Sequence, residues 1–405
     1  MIQEIRIKNF LSFRDEVVLN FEATKDKTFE DCQVVSVTPK VRLLRFALIL
    51  GANASGKSNL LKAIDFLHQF WFDIKNDMNR ETGTIPFLLD TDTPTEPSEF
   101  NVVFYVGAKK YWYQLILDNT KVIKEDLYVY NSVQPSLVFG RALEGSQSVV
   151  KLNTNLVKAS TAVIEQLNIK CLPNMSFFAA RNQVNCTLLY IDEVRDWMRD
   201  NLMPIITPDT KMFEYAGSKM EKENELKKYI LDFLRKADFN ITDVFSEKEA
   251  MPLPDIIRAS IADDKAIPAK VKEKILAENS MERLKTDFQH TVRNDRGVET
   301  YTLPNSLQSA GTRRTFGIEA AIYDALKKEC ALPVDEIESS LHPELVEFII
   351  QKFLSEKNRS QLIVTSHYDP LLNTVDDLIR KDMVWFTEKE EDGHTKLYSL
   401  TDFRG

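Results

Sequence analysis

The sequence predicts an α/β protein in which a mainly helical insert separates two lobes. Strand-like and helix-like segments alternate near both ends of the chain. Residues 98–130 are rich in strand patterns, and residues 157–280 hold short charged helical stretches broken by prolines. We therefore expect an N-terminal lobe over residues 1–130, an insert over residues 131–280 and a C-terminal lobe over residues 281–405.

The composition is that of an ordinary globular protein, with 405 residues of which 43% are hydrophobic and 28% are charged. There is no apolar run of about 18 residues, and the N-terminus lacks the apolar core of a signal peptide. We therefore expect a cytoplasmic protein that makes no membrane contact. The cysteines are widely spaced without a C-x-x-C pair, which disfavours a zinc site and a disulfide framework. They are Cys32, Cys171, Cys186 and Cys330.

The net charge of −9 and the isoelectric point near 5.3 bear on nucleic-acid binding. A protein that coats nucleic acid usually has a basic surface, so an acidic chain disfavours DNA binding as the main task. Local basic pairs at residues 109–110 and 313–314 still leave room for such a contact.

The N-terminal lobe is predicted to contain several short strands. Residues 2–19 predict two of them, and residues 100–106 and 111–117 flank a plausible hairpin turn at residues 107–110. Residues 126–130 extend this meander. Its aromatic side chains are commoner as cross-strand core pairs than as a base-stacking platform, and we favour core packing.

Residues 51–58 fit the phosphate-binding loop pattern G-x-x-x-x-G-K-[ST]. An apolar strand pattern precedes them at residues 43–50, and apolar residues at helical spacing follow at residues 60–67. A strand, loop and helix in this order form the context that a P-loop requires, so we expect the chain to bind a nucleoside triphosphate.

Each residue type in the loop has a chemical reason to be there. Gly51 and Gly56 let the backbone wrap around a phosphate, so that N–H groups and the helix dipole face its negative charge. Lys57 can reach the β- and γ-phosphates, and the Ser58 hydroxyl can ligate Mg²⁺. The candidate nucleotide-binding residues of the loop are Gly51, Asn53, Ala54, Ser55, Gly56, Lys57, Ser58 and Asn59.

Two carboxylates and a histidine form the second half of the predicted site. Asp335 and Glu336 end a buried strand pattern, where the first carboxylate can hold Mg²⁺ through water and the second can act as general base. Pro333 lies inside this strand, where a proline removes a ladder hydrogen bond. His367 follows the next strand, residues 361–365, where a P-loop sheet would bring it to the γ-phosphate.

Two helix starts in the C-terminal lobe have two interpretations each. Ser309 and Gly311 precede the helix predicted for residues 316–328, either as an anion-binding N-terminus or as an ordinary capped turn. His342 precedes a helix with Pro343 in its first turn, and we favour a capping or packing role over a role in the active site.

In this order, the motifs resemble those of ABC-type ATPases of the SMC, RecF and OLD group. The opening I-x-I-x-N-F-x-S-F-x-D from Ile5 resembles the N-terminal strand pair of that group, and residues 51–58 match its Walker A motif. Residues 309–311 resemble the ABC signature, the Asp-Glu pair resembles Walker B, and His367 resembles the switch histidine. The strings D-E-I-x-S-S-L-H-P and S-H-Y-D-P-L-L are most similar to bacterial ATP-binding proteins of phage-defence and abortive-infection systems.

The resemblance implies an ATPase head with a mixed sheet, an antiparallel β subdomain and no long coiled coil. It implies ATP and Mg²⁺ as cofactors, with Ser58 and Asp335 on the metal, and Glu336 and His367 as catalytic residues. It also implies a homodimer or higher homo-oligomer with composite ATP sites, in which one protomer contributes Walker A and B and the other contributes Ser309 and Gly311.

The sequence departs from the group in three places. The signature is S-A-G-T rather than a glycine pair followed by glutamine, and Gln114 on a predicted strand is only a candidate for the Q-loop. Because the sequence ends at Gly405, soon after the last predicted strand, we expect no appended TOPRIM nuclease domain. No motif covers residues 131–280.

The leading hypothesis is therefore an ATPase that dimerises around ATP and controls a separate effector, a nuclease or toxin, in bacterial antiphage defence. A nucleic acid or a phage component as the trigger is compatible with it but is not identified by these residues. One alternative is a DNA-repair or DNA-clamping ATPase similar to RecF and SMC proteins. Another is a nucleotide-gated scaffold with little hydrolysis.

Overall fold

A computed structural model describes residues 1–237, 239–263, 269–278 and 280–403. The strands in these ranges are β1 (Ile2–Lys8), β2 (Val17–Asn20), β3 (Val34–Thr38), β4 (Val41–Leu44), β5 (Phe46–Leu50), β6 (Ser98–Val106), β7 (Lys109–Leu117), β8 (Val122–Tyr130), β9 (Ser136–Glu144), β10 (Gln147–Leu152), β11 (Ile241–Pro252), β12 (Ser280–Asn294), β13 (Gly297–Pro304), β14 (Ala331–Val334), β15 (Gln361–Thr365), β16 (Val384–Lys389) and β17 (Thr395–Ser399). The α-helices are α1 (Glu30–Gln33), α2 (Lys57–Phe70), α3 (Thr161–Lys170), α4 (Phe177–Arg181), α5 (Ile191–Asp200), α6 (Met212–Met220), α7 (Asn224–Lys236), α8 (Asp255–Asp263), α9 (Ala269–Glu278), α10 (Ala310–Lys328) and α11 (Pro343–Ser355).

The chain divides into two compact units. The first unit comprises Met1–Thr210 and Asp324–Gly405, and the second comprises Lys211–Tyr323. Within the region predicted as a mainly helical insert, residues 131–280, the structure places helices but also strands β9, β10 and β11. The strands β9 and β10 are direct antiparallel continuations of the predicted meander, which is why they belong with the first unit.

The first unit contains a mixed sheet with the strand order β14-β15-β5-β16-β17, here called the central sheet. The strands β14, β15, β5 and β16 run parallel, and β17 returns antiparallel to β16. Every residue of β5, β14 and β15 is buried, as expected for the interior of a parallel sheet. Helix α2 follows β5, and helix α11 connects β14 to β15.

Pro333 is accommodated because β14 is the terminal strand of the central sheet. On the side away from β15, residues 202 and 206 form only isolated bridges to β14. On this side, Ala331 N donates to Asn201 O and Asp335 N donates to Ile206 O. Successive N–H groups of a strand alternate in direction, so an N–H at position 333 would also point to this side and away from β15. The proline therefore leaves the ladder with β15 intact, in agreement with its preference for sheet edges.

The first unit also contains an antiparallel sheet with the order β10-β9-β8-β7-β6-β1-β2, here called the meander sheet. The predicted hairpin of residues 100–117 and the third strand are confirmed by β6, β7 and β8. One face of the sheet buries Tyr111 and Tyr113, whereas Trp112 and Tyr128 stack on the half-buried opposite face. The alternation of β7 therefore supports the core-packing interpretation of its aromatic residues.

A buried ion pair connects β8, β9 and α4 in the first unit. Glu125 and Arg141 are 0% and 1% exposed, and the Arg141 Nη1 lies 3.0 Å from the Glu125 Oε2. Tyr113 Oη and Ser176 Oγ donate to Glu125 Oε1, and Arg141 also donates to Ser148 Oγ and to the Leu172 carbonyl. A buried charge is tolerated only when it is paired and hydrogen-bonded in this way.

The second unit is built from α6, α7, residues 310–323 of α10 and a sheet with the order β11-β12-β13. In this sheet β12 pairs antiparallel with both β11 and β13. Phe213, Phe288 and Phe316 pack together and bring α6, β12 and α10 to a common core. Over the described ranges of both units, no helix has the length and apolar character needed to cross a bilayer.

The Glu125–Arg141 pair predicts a large stability effect. Arg141→Leu leaves Glu125 buried without its counter-charge, so the free energy of unfolding should fall by about 3–5 kcal/mol. Chemical denaturation followed by tryptophan fluorescence measures this, because Trp71, Trp112, Trp197 and Trp385 all lie in the first unit. The exposed Lys151–Glu144 pair provides the control, since Lys151→Ala should change stability by less than about 1 kcal/mol. Equal effects of the two variants would contradict this assignment.

Candidate functional site

The predicted site residues of the first unit meet at one edge of the central sheet. The parallel strands β14, β15 and β5 are neighbours, so the residues that follow their carboxyl ends lie at the same edge. These are the Asp335–Glu336 pair after β14, His367 after β15 and the loop that begins at Gly51 after β5. Parallel α/β sheets place their ligand sites at this edge.

Steric contacts require glycine at two positions of the loop. Gly51 has φ 153° and Gly56 has φ 102°, a region that favours glycine. A Cβ on Gly51 would lie 2.4 Å from the Thr387 carbonyl oxygen, and one on Gly56 would lie 2.3 Å from the Thr395 Oγ1. The loop backbone is therefore pressed against β16 and β17, which fixes its path into α2.

Lys57 is the first residue of α2 and is only 7% exposed. Its Nζ donates to the carbonyl oxygens of Gly51 and Ala52, at 2.7 and 2.9 Å. Burial lowers the pKa of the Lys57 ammonium group, and the negative charges nearby, with Glu338 foremost among them, act in the opposite direction. The lysine thus folds back over the loop, where a bound phosphate would compete with two carbonyls for its protons.

The Asp335 carboxylate is the centre of a buried hydrogen-bond network and is 6% exposed. Its Oδ1 accepts from the Ser58 Oγ at 3.0 Å and from the Thr365 Oγ1 at 2.5 Å. Thr365 Oγ1 in turn accepts from the Glu336 N at 2.9 Å. Glu336 has φ 47°, a left-handed conformation that is uncommon for glutamate, and this hydrogen bond holds its backbone there.

The Ser58 hydroxyl and the Asp335 carboxylate fit a magnesium ion. Both are hard oxygen donors, and their mutual hydrogen bond places them side by side. Among the described residues, including those of this site, there is no cluster of three or more His, Cys, Asp or Glu side chains that could hold a metal ion. A site with one hydroxyl and one carboxylate suits Mg²⁺, which typically takes its remaining ligands from phosphate oxygens and water.

His367 lies beside a carboxylate that the sequence analysis did not select. Glu338 Oε1 accepts from the His367 backbone N at 2.8 Å and lies 2.7 Å from its Nδ1. The histidine side chain is 51% exposed, whereas that of Glu338 is 11% exposed. The backbone hydrogen bond fixes the loop after β15, and the ring contact leaves Nε2 as the nitrogen that can face a ligand.

The hydroxyl side chains of Ser12, Thr387 and Thr395 support the loop and were not predicted as site residues. Ser55 Oγ lies 2.6 Å from the Thr387 Oγ1, and Thr395 Oγ1 donates to the Ser55 carbonyl at 2.9 Å. Ser12 Oγ accepts from Asn59 Nδ2 and lies 2.9 Å from the Thr395 Oγ1. Ser12 belongs to the N-F-x-S-F string, so this N-terminal motif holds the P-loop in place through hydrogen bonds.

The remaining predicted loop residues differ in exposure. Asn53 and Ala54 lie at the exposed tip, and Ala54 has φ 61°. Asn59 is half-buried, and its side-chain amide donates to the N-terminal segment as described. The tip therefore presents backbone to solvent, while its two flanks are fixed by side-chain hydrogen bonds.

Ser309 and Gly311 lie in the second unit, at the start of α10. The Ser309 Oγ accepts from the Thr312 N at 3.0 Å, which is the hydrogen bond of an N-capping serine. This geometry fits the capped-turn interpretation, and a serine cap is also compatible with an anion-binding helix start. Their role as a signature motif stays a prediction.

His342 and Gln114 are two further residues for which the sequence suggested roles. His342 is the N-cap residue of α11 with Pro343 in the first turn, but its side chain makes no capping hydrogen bond and is 74% exposed. His342 therefore opens α11 as expected, but the capping or packing role expected for it is not seen in its side chain. Gln114 lies in the middle of β7, where its Oε1 accepts from Lys124 Nζ.

The solved structures to which this chain is similar include three SMC head domains. The chain is 14% identical to the SMC head domain from Thermotoga maritima, with 98% of each chain covered and a TM-score of 0.46. It is 12% identical to an Smc head bound to the C-terminal winged-helix domain of ScpA, with 98% and 97% covered and a TM-score of 0.43. It is also 12% identical to an Smc head with an extended coiled coil bound to the C-terminal domain of ScpA, derived from Pyrococcus furiosus, with 99% and 97% covered and a TM-score of 0.41. The comparison with curated proteins gives no match.

One protein-family model covers more than half of the chain. It matches residues 46–148 and 215–373, and so includes the P-loop, the signature region, the Asp335–Glu336 pair and His367. Its description is "AAA domain, putative AbiEii toxin, Type IV TA system". Because the match covers more than half of the chain, the chain belongs to this family of AAA domains.

Proposed function

We propose that this protein is an ATPase that hydrolyses ATP to ADP and phosphate with Mg²⁺. The observation that supports this best is the network in which Ser58 and Thr365 both donate to Asp335 and Glu336 donates to Thr365. It joins the first turn of the P-loop helix to the Asp335 carboxylate and to the backbone N–H of Glu336. A metal ligand pair beside a general base is the arrangement that phosphoryl transfer to water requires.

Each side chain has a distinct part in the proposed reaction. Lys57 and the loop backbone would bind the phosphates, and Ser58 and Asp335 would hold Mg²⁺, which would neutralise phosphate charge. Glu336 accepts a proton from the attacking water, whose oxygen bonds to the γ-phosphorus as the bond to the ADP oxygen breaks. His367 Nε2 faces the released γ-phosphate, with Glu338 fixing the position of the ring.

The proposal includes a dimer in which ATP lies between two protomers. The start of α10 carries Ser309 and Gly311, and a helix N-terminus favours an anion such as the γ-phosphate of a partner's ATP. ATP that contacts both protomers stabilises the closed dimer by its differential affinity for that state. Hydrolysis would then open the dimer and couple ATP turnover to a conformational signal.

The proposed biological role is control of a separate effector, a nuclease or toxin, in bacterial antiphage defence. The family description refers to a toxin of a toxin–antitoxin system, which supports a defence role. The net charge of −9 disfavours the alternative of a DNA-clamping ATPase. The second alternative, a scaffold with little hydrolysis, differs from the proposal only in turnover.

Glu336→Gln and Lys57→Ala should separate hydrolysis from binding. Glu336→Gln keeps the shape and removes the base, so turnover should fall by about 100-fold or more while ATP affinity persists. Lys57→Ala removes the phosphate-binding cation and should weaken ATP binding itself. Phosphate release and equilibrium binding of a fluorescent ATP analogue measure the two effects. Wild-type turnover in Glu336→Gln would refute the general-base assignment, and unchanged affinity in Lys57→Ala would refute the phosphate-binding assignment.

Mixing two inactive variants should test the composite site. Ser309→Arg places a bulky cation at the start of α10, so each protomer should still bind ATP but fail to close on its neighbour. A heterodimer of this variant with Glu336→Gln has one site that combines intact Walker motifs with an intact signature. Partial recovery of ATP turnover on mixing is the expected result. No recovery despite heterodimer formation, shown by tagged co-purification, would contradict a signature that acts in trans.

Phage challenge of cells tests the defence role. Cells that carry this gene with its neighbouring genes should survive infection better than cells with the Glu336→Gln variant at equal expression. Deleting a neighbouring effector gene should abolish protection while the ATPase activity of the purified chain is unchanged. Toxicity of this chain expressed alone would assign the toxic activity to the chain itself. Equal phage titres in wild-type and variant cells would contradict the defence role.

A further inference from the structure

Thr365 is a buried residue whose hydroxyl group hydrogen-bonds to both Asp335 and Glu336. It is the last residue of β15 and is 0% exposed. Its hydroxyl proton is directed to the Asp335 Oδ1 at 2.5 Å, and its oxygen accepts from the Glu336 N at 2.9 Å. One hydroxyl therefore contacts both members of the carboxylate pair, and its hydrogen-bonding capacity is used in both directions.

The two hydrogen bonds have different consequences. The Thr365 and Ser58 hydroxyl groups both donate to the Asp335 Oδ1. Together these two hydrogen bonds restrict rotation of the Asp335 carboxylate. The bond from Glu336 N stabilises a backbone with φ 47°, a conformation that is unfavourable for a residue with a Cβ. Without the Thr365 hydroxyl, a buried N–H and a buried carboxylate would each lose a partner.

We propose that Thr365 is a positioning residue for Mg²⁺-dependent catalysis, acting by holding Asp335 and Glu336 in one fixed arrangement. This inference rests on the proposed ATPase function. Thr365 is not proposed to touch the nucleotide or the metal, and its effect passes through the Asp335 carboxylate and the backbone of Glu336. Because Thr365 is two residues from His367, the same short segment also connects the carboxylate pair to the histidine.

The geometry at the carboxyl end of β15 explains why threonine suits this position. Ile337 N donates to the Thr365 carbonyl at 3.1 Å, so the turn after β14 is held to β15 by backbone as well as by the side chain. A β-branched residue has few accessible rotamers in a strand, which keeps the hydroxyl on the side of Asp335. Serine retains the hydroxyl but loses the methyl group, and valine retains the shape but loses the hydroxyl.

The test compares Thr365→Val with Thr365→Ser. Thr365→Val should reduce kcat by about 10–100-fold, the range seen when a residue that orients a metal ligand is removed. The KM for ATP should change by less than about threefold, since Lys57 and the loop are intact. Thr365→Ser should recover most of the activity. The buried Thr84 hydroxyl, which lies 3.1 Å from the Ser98 Oγ outside the site, provides the control, because Thr84→Val should leave kcat unchanged.

A second measurement is independent of turnover. Mn²⁺ titration followed by electron paramagnetic resonance, in the presence of a non-hydrolysable ATP analogue, gives the metal affinity of each variant. Thr365→Val should weaken Mn²⁺ binding about tenfold or more in a wild-type background. In an Asp335→Asn background the same change should have no further effect, because the group that Thr365 positions is already lost.

The possible failures are distinguishable. If the wild-type chain binds Mn²⁺ and the ATP analogue but shows no turnover, the proposed ATPase function fails while the metal titration still tests Thr365. Equal kcat and equal Mn²⁺ affinity in Thr365→Val and wild type would overturn the positioning role. An equal loss in the Asp335→Asn and wild-type backgrounds would also overturn it, since Thr365 would then act through another group.

Discussion

The parallel pairing of β14, β15 and β5 is the constraint on which the rest of the site depends. It brings three loops that are far apart in sequence to one edge of the central sheet. The Thr365 hydroxyl then ties the end of β15 to both residues that follow β14, and Ser58 ties the P-loop helix to the same carboxylate. A shift of one residue in this register would turn each of these side chains to the opposite face.

The central sheet also explains where unfavourable features are tolerated. Asp335 is a buried carboxylate, Glu336 has a left-handed backbone and Gly51 and Gly56 are pressed against β16 and β17. Such features are usually destabilising, and here they are concentrated within a few residues of one sheet edge. The buried pair of Glu125 and Arg141 differs, because its hydrogen-bond partners, such as Tyr113 and the Leu172 carbonyl, are not candidate site residues. Concentration of local strain at one edge is typical of a functional site.

Much of this arrangement could be predicted from the sequence because it depends on local chemistry. The glycine spacing of the P-loop, the apolar strands before it and before Asp335, and the hairpin after residue 98 each carry a short-range signal. Thr365 and Glu338 were missed because their importance comes from pairing between distant strands, and one threonine or glutamate has no distinctive pattern. The strings T-S-H and D-E-I-E held the available signal. The strands β9 to β11 were missed because their mixed, charged sequences lack a clear alternation.

ATP turnover per subunit, measured as a function of protein concentration in saturating ATP and Mg²⁺, tests whether the ATP site is shared between two protomers. Specific activity should rise with concentration and reach a plateau, because each composite site needs two protomers. Constant non-zero specific activity down to concentrations at which sedimentation shows only monomer would contradict the composite site. Absence of turnover at every concentration, with ATP binding intact, would contradict the assignment of the chain as an ATPase and favour a nucleotide-gated scaffold.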